Sequence, residues 1–319
     1  MSIRSTIELA QDGCQRYDAV CKEILSHRQI LANIMRGTLE EYRDCSIADI
    51  VNRYIEPESV SLSEPVYRNQ AKILGTGGED STITEGKVVY DVIFRAKYPG
   101  RFGGELGLRI NVEAQNDYNP GYKISSRAVF YCARALSAEP GYVSEKMDYR
   151  KLEKVYSIWI CMGSGIPKSK QFTVSLYRMD KHDIIGEVEE DEMHYNLMSA
   201  VIIRLGSEEC ADSPWLLRML WALFGGELRA EERIARLREL GIQVDGELRE
   251  EVNEMCNLSE GIWEKGLQKG LQKGATVERR KNAAAFYRSG VSLEVISRSM
   301  EVPMETVKRW IEEDSCAMV

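Results

Sequence analysis

The sequence predicts an α/β protein: a mixed sheet with helices packed on it, followed by an all-helical C-terminal region. Three observations carry this. Short β-rich runs at 88–94, 108–115, 155–162, 172–177 and 198–204 are separated by turn-rich or helical segments. Their order, helix, strand, strand, helix, strand, strand, strand, implies a sheet of mixed direction rather than a regular βα alternation. From Trp215 onward the chain holds no strand-like run and reads helical and charged.

Each element has its own signal. Residues 1–55 read helical, with Tyr17, Val20 and Ile24 on one stripe and Ile30, Ile34 and Leu39 on a later one. Ser46 followed by Asp49 resembles a capping box ahead of Ile50-Val51, with Asp in place of the usual Glu. Residues 56–86 read as loop, with Pro57, Pro65, Gly75, Gly77 and Gly78. The runs Val88–Phe94 and Leu108–Gln115 read as two arms of a hairpin, with Pro99, Gly100, Gly103 and Gly104 as turn material. A helix over 123–138 follows, stopped by Pro140-Gly141. The acidic run Glu187–Glu192 reads as a solvated loop.

In the C-terminal part, Gly266, Gly270 and Gly274 recur with period four, and each glycine costs a helix about 1 kcal/mol against alanine. This predicts a flexible connector. Residues 265–281 hold six basic residues and one acid, Glu278, in an otherwise acidic chain. Beyond it, two short helices joined at Glu301-Val302-Pro303 match a helix-turn-helix, with Val295, Ile296, Val307 and Trp310 as its small core and Lys308 and Arg309 on the second helix. Residues 275–319 carry seven basic and seven acidic residues, so this tail is not strongly electropositive. The organisation expected is a domain at 1–210, a helical extension at 211–262, a Gly/Lys-rich linker at 263–281 and the helix-turn-helix-like tail at 282–314.

Bulk properties narrow the function. A net charge of −8 and a pI near 5.3 count against non-specific coating of nucleic acid. The eight cysteines include no C-x-x-C pair and read as free thiols in a reducing cytoplasm. His27, His182 and His194 have no metal-type spacing. The start lacks the apolar core of a signal peptide, and Trp215–Phe224, interrupted by Arg218, is too short for a membrane span, so a cytoplasmic protein is expected.

The chemistry-bearing residues lie on the two hairpin arms. Glu113 and Gln115, two apart, share a strand face while Ala114 points the other way, and Asp91 lies 22 positions earlier on the other arm (113 − 91). Two acids on a half-buried sheet are costly unless paired, and a hard divalent cation is a suitable partner. A D…E-x-Q pattern also arises by chance on solvated sheet faces. Asn116–Gly121 is a strong turn signal, which places Glu113 where the chain leaves the sheet.

A larger ordered set of segments carries a resemblance: Tyr90-Asp91-Val92, Ile110–Asp117, Arg127 with Tyr131–Arg134, and Val155–Met162. Together they resemble the PD-(D/E)XK nuclease family transposases, the Rpn-like recombination-promoting nucleases, over roughly residues 25–210. The resemblance implies a restriction-endonuclease-like mixed sheet flanked by helices, and Mg²⁺- or Mn²⁺-dependent hydrolysis of DNA, linked to recombination or mobile elements. It implies Asp91, Glu113 and the Ala114 carbonyl as metal ligands, with Gln115 as a third catalytic residue where the wider superfamily has lysine. Glutamine can orient a water but cannot act as a cation or general base. A third acid is expected upstream, with Glu85, Glu79 or a carboxylate on the N-terminal helices as candidates. Arg127, Tyr131 and Arg134 fall on one helix face that could hold backbone phosphates, beside Lys308 and Arg309 in the tail. The partners expected are DNA, with RNA sharing the same site chemistry, no membrane, and a second copy of the chain. The competing reading is a nuclease-fold protein without catalysis that binds DNA or oligomerises.

Overall fold

Six strands form one sheet in the order β1-β2-β3-β4-β6-β5, namely β1 (Ser61–Val66), β2 (Val88–Pro99), β3 (Glu105–Gln115), β4 (Lys154–Cys161), β5 (Thr173–Arg178) and β6 (Met198–Arg204). The computed structural model describes residues 3–66, 88–99, 105–137, 149, 152–163, 165–226 and 228–316. β1, β2 and β3 run antiparallel, β3, β4 and β6 run parallel, and β5 returns antiparallel on the edge. The mixed sheet expected from the order of the runs is therefore present. β4 is buried from Val155 through Cys161, as a strand between two parallel neighbours with both faces covered should be.

One face of the sheet packs against α4 (Ile124–Ser137), whose Ala128, Tyr131, Cys132 and Ala135 meet Ile93, Val155, Trp159 and Ile202. Val92, Phe94, Leu108, Ile110, Val112, Ile158 and Val201 are equally buried and alternate with that set. On their side lies the N-terminal segment: the Tyr156 hydroxyl donates to Glu41, and the Tyr42 hydroxyl donates to the Lys97 carbonyl. That segment comprises α2 (Arg28–Thr38) and a short turn α3 (Ile47–Asp49) leading into a π turn at Ile50–Tyr54, and α1 (Ile3–Ser26) precedes it in the chain. The break between α1 and α2 falls at His27, whose ψ of 120° leaves the helical region. Ser46 caps α3 as expected, accepting from the Asp49 N–H at 3.0 Å.

The chain divides into two compact units, Gln15–Cys256, and Met1–Cys14 with Asn257–Val319. In the first, α5 (Trp215–Phe224) and α6 (Ala230–Glu239) follow the sheet, and Arg233 donates to the carbonyls of Ala222, Leu223 and Gly225. The second contains most of the long α7 (Gly246–Arg288), with α8 (Leu293–Met300) and α9 (Met304–Cys316). Ala283, Ile296, Val302 and Val307 form its core, with Trp310 packed against them.

Three expectations need correction. Residues 61–66, read as loop, are the edge strand β1; Pro65 and the polar residues hid it, and an edge strand tolerates both. The glycine repeat does not break the chain: α7 runs unbroken through 263–281, its glycines flanked by the strong helix formers Leu, Gln and Lys. Val295, assigned to the tail's core, is instead 52% exposed. Among the described residues no helix is long and apolar enough to cross a membrane. Cys132 and Cys161 are buried free thiols, as expected.

Candidate active site

The site forms where β2 parts from β3. The β2–β3 ladder runs from Pro99↔Glu105 to Val92↔Val112 and stops there, while Val88 to Ile93 pair with β1. Tyr90 and Ile93 both belong to the α4-side core although three positions separate them, so the strand's alternation slips by one between them. On β1, Ser63 takes a φ of 53° at the same level. Asp91 sits in this slip, and Glu113 sits one step past Val112 on the opposite strand.

Side chains replace the missing ladder bonds. The Asp91 N–H donates to Oε1 of Glu113 at 3.2 Å, and the Ala114 N–H donates to Oδ2 of Asp91 at 3.0 Å. Each carboxylate thus takes a backbone donor from the other's strand. Asn111, on the Glu113 face of β3, donates its amide to the same Oε1 at 3.1 Å. Lys22, from α1, reaches Oδ1 of Asp91 at 3.0 Å and Oδ2 of Asp18 at 2.7 Å.

The electrostatics follow from burial. Glu113 is 3% exposed, and burial together with the Asp91 charge holds its carboxyl well above the ordinary range. The hydrogen bonds from the Asp91 N–H and Asn111 act in the opposite direction without prevailing. Asp91 is also raised by burial, despite the Lys22 ammonium and the Ala114 N–H. Two acids that both resist ionisation while standing together are short of positive charge.

Arg127 lies on the α4 side of this pair. Its guanidinium is 5.0 Å from the Tyr131 ring, 5.1 Å from Trp159 and 5.7 Å from Tyr122. It donates to the Tyr131 hydroxyl at 2.6 Å and to the Tyr122 hydroxyl at 2.5 Å. Trp159 is the β4 register partner of Glu113, which places this aromatic cluster beside the acids.

The predicted residues fare unequally. Asp91, Glu113 and Ala114 come together, with the Ala114 N–H making the bond described. Gln115 is at the strand exit, its amide donating to the Asp117 carbonyl at 2.5 Å. Tyr131 and Arg134, read as phosphate contacts, are 4% and 9% exposed. Tyr131 stacks edge-on between Tyr90 and Trp159 in the core, and the Arg134 guanidinium lies over the Phe130 ring, so the helical spacing that aligned them turns them inward. Lys308 and Arg309 are exposed on α9 in the other unit. Glu79 and Glu85 lie outside the described residues.

Lys22, Asp18 and Asn111 were not singled out from the sequence. Asn111 carries the period-two signal, since 111, 113 and 115 share a face. Asp18 and Lys22 are an i, i+4 pair on α1, a spacing common on solvated helices.

The donors suit a hard divalent cation. Among the described residues no hydrogen bond reaches Oε2 of Glu113, and Oδ1 of Asn111 is buried with no partner. Carboxylate and carboxamide oxygens are the ligand type that Mg²⁺ and Mn²⁺ take. Among the described residues there is no group of three or more acids, histidines or cysteines that could hold a metal ion, and the carboxylates at the fork are two, Asp91 and Glu113. Compared with protein-family models, curated proteins and solved structures, the chain matches none of them.

Proposed function

We propose that the chain is a metal-dependent nuclease that hydrolyses phosphodiester bonds in DNA. The observation that carries this reading is the Asp91–Glu113 pair at the fork of β2 and β3, in which a buried Glu113 carries the neighbouring Asp91 charge beside an unpartnered carboxamide oxygen. A carboxyl pushed upward by burial and by a specific neighbouring charge is more typical of a functional site than of a passive core.

In this reading Asp91, Glu113 and Asn111 would hold Mg²⁺ or Mn²⁺ by oxygen, and the ion, when bound, would supply a water of lowered pKa and offset charge on the phosphate. Asn111 and the Asp91 N–H fix Oε1 of Glu113 and so orient its carboxylate. Arg127, clamped by Tyr122 and Tyr131, adds a fixed positive charge that favours the ionised Glu113. Gln115 donates to the Asp117 carbonyl through Nε2, and its Oε1 is the acceptor that could orient a water. The site chemistry suits RNA equally, and a link to recombination comes from the family resemblance alone.

A second reading is a nuclease-fold binding protein without catalysis. One observation favours it: Lys22 already supplies Asp91 with a counter-charge. Nicking of supercoiled plasmid with Mg²⁺ or Mn²⁺ separates the two. Cleavage by wild type that disappears in Asp91→Ala and Glu113→Ala is expected. Equal cleavage by all three would refute the site, and no cleavage of DNA or RNA by folded wild type would favour the binding protein.

A further inference from the structure

We propose that Lys22 is a built-in counter-cation of the metal centre: a divalent ion enters only as the ammonium leaves Asp91, and Asp18 is where the ammonium withdraws. This rests on the metal-centre reading and specifies how its affinity is set.

Both oxygens of Asp91 are already engaged, Oδ2 by the backbone N–H of Ala114 and Oδ1 by Lys22. The backbone donor belongs to a sheet strand and cannot step aside. The lysine has a flexible four-carbon stem and can. An ammonium and a divalent ion on the same carboxylate would repel strongly, because the Lys22 and Asp91 side chains are each only 15% exposed and solvent screens them little. Entry of the ion therefore favours a rotamer that removes the ammonium from Oδ1.

The structure supplies the destination. Asp18 holds the same nitrogen at 2.7 Å, closer than Asp91, and its side chain is 40% exposed. Lys22 can give up one partner without becoming an unpaired, half-buried charge, which would be costly. When no divalent ion is bound, the same bridge keeps Asp91 from being an unpaired buried carboxylate. Lys22 is thus a positioning residue acting through Asp91, and it weakens the site for metal while stabilising it empty.

The test is direct Mn²⁺ binding to the full chain, read as free Mn²⁺ by electron paramagnetic resonance. Lys22→Met, or Lys22→Gln should the first not fold, is expected to tighten Mn²⁺ binding at least tenfold. Asp18→Asn is expected to weaken binding severalfold in the wild type and to have no effect in the Lys22→Met background. Unchanged or weaker binding in both Lys22 variants overturns the proposal. So does an equal loss on Asp18→Asn in both backgrounds, which would make Asp18 a ligand rather than a resting place. Equal Mn²⁺ binding by wild type and Lys22→Met that disappears in Glu113→Ala removes this proposal and leaves the metal centre. Absence of binding in every protein removes both.

Discussion

Replacing Glu113 by glutamine should make the metal-free protein more stable, not less. The carboxylate is 3% exposed, and its Oε1 accepts from the Asp91 N–H and from Asn111. A glutamine Oε1 can accept both, so the swap removes the buried charge while preserving its hydrogen bonds. The sign follows from linkage. The unfolded carboxyl titrates near 4.5 and the folded one well above it, so between those values the folded state binds more protons. Wild-type stability therefore falls as pH rises through that window. Replacing buried charge by a neutral group of the same shape is commonly stabilising by a few kcal/mol, so Glu113→Gln should gain about 1–3 kcal/mol at neutral pH. For a unit of this size that is a rise of roughly 2–10 °C in Tm. Calorimetry in chelator at pH 7.5 measures the gain, and repetition toward pH 4.5 should show it shrinking. Mn²⁺ should then stabilise wild type and leave the variant unmoved. A variant less stable than wild type at neutral pH would show that the ionised Glu113 is a structural asset, and the inference from its raised pKa would be wrong.

Arg127→Ala should destabilise the Gln15–Cys256 unit by about 2–3 kcal/mol in urea unfolding, because it strips charged hydrogen bonds from two tyrosines and a cation from three ring faces. A loss below about 0.5 kcal/mol would return Arg127 to the role of a free phosphate contact. Gly163→Ala should cost more than about 3 kcal/mol or prevent folding, since a Cβ there would overlap the Asn116 carbonyl oxygen at the exit of β3. Wild-type stability of that variant would contradict the close approach. Glu301→Gly should protect α8 and α9 by about 1 kcal/mol more in hydrogen exchange, because Glu301 ends α8 at a φ of 53°, where a side chain is strained. Unchanged protection there would refute the left-handed turn.

The order of sheet strands and helices was legible because each has a strong local signal, and the five strand-like runs coincide with β2, β3, β4, β5 and β6. β1 was not, since its polar, proline-containing sequence is held by pairing with β2 rather than by its own propensity. The acids were visible as a pattern, but the slip at Asp91 that turns it out of line was not, because it depends on β1 and β3 diverging across β2. Lys22 was hidden for a related reason. It lies 69 positions from Asp91 (91 − 22), and only the packing of α1 brings them together. Tyr131 and Arg134 show the converse error, where correct helical spacing was assigned to the wrong side of the helix.

The crossed hydrogen bonds at the fork make two backbone amides into reporters. The Asp91 and Ala114 N–H groups each terminate on a carboxylate oxygen of the opposite strand, so their proton chemical shifts follow the charge on those oxygens. Any occupant of the acids, whether proton, ammonium or divalent ion, will shift the two resonances by different amounts. Two peaks in an amide spectrum can therefore reveal the state of the centre without a substrate or a turnover event.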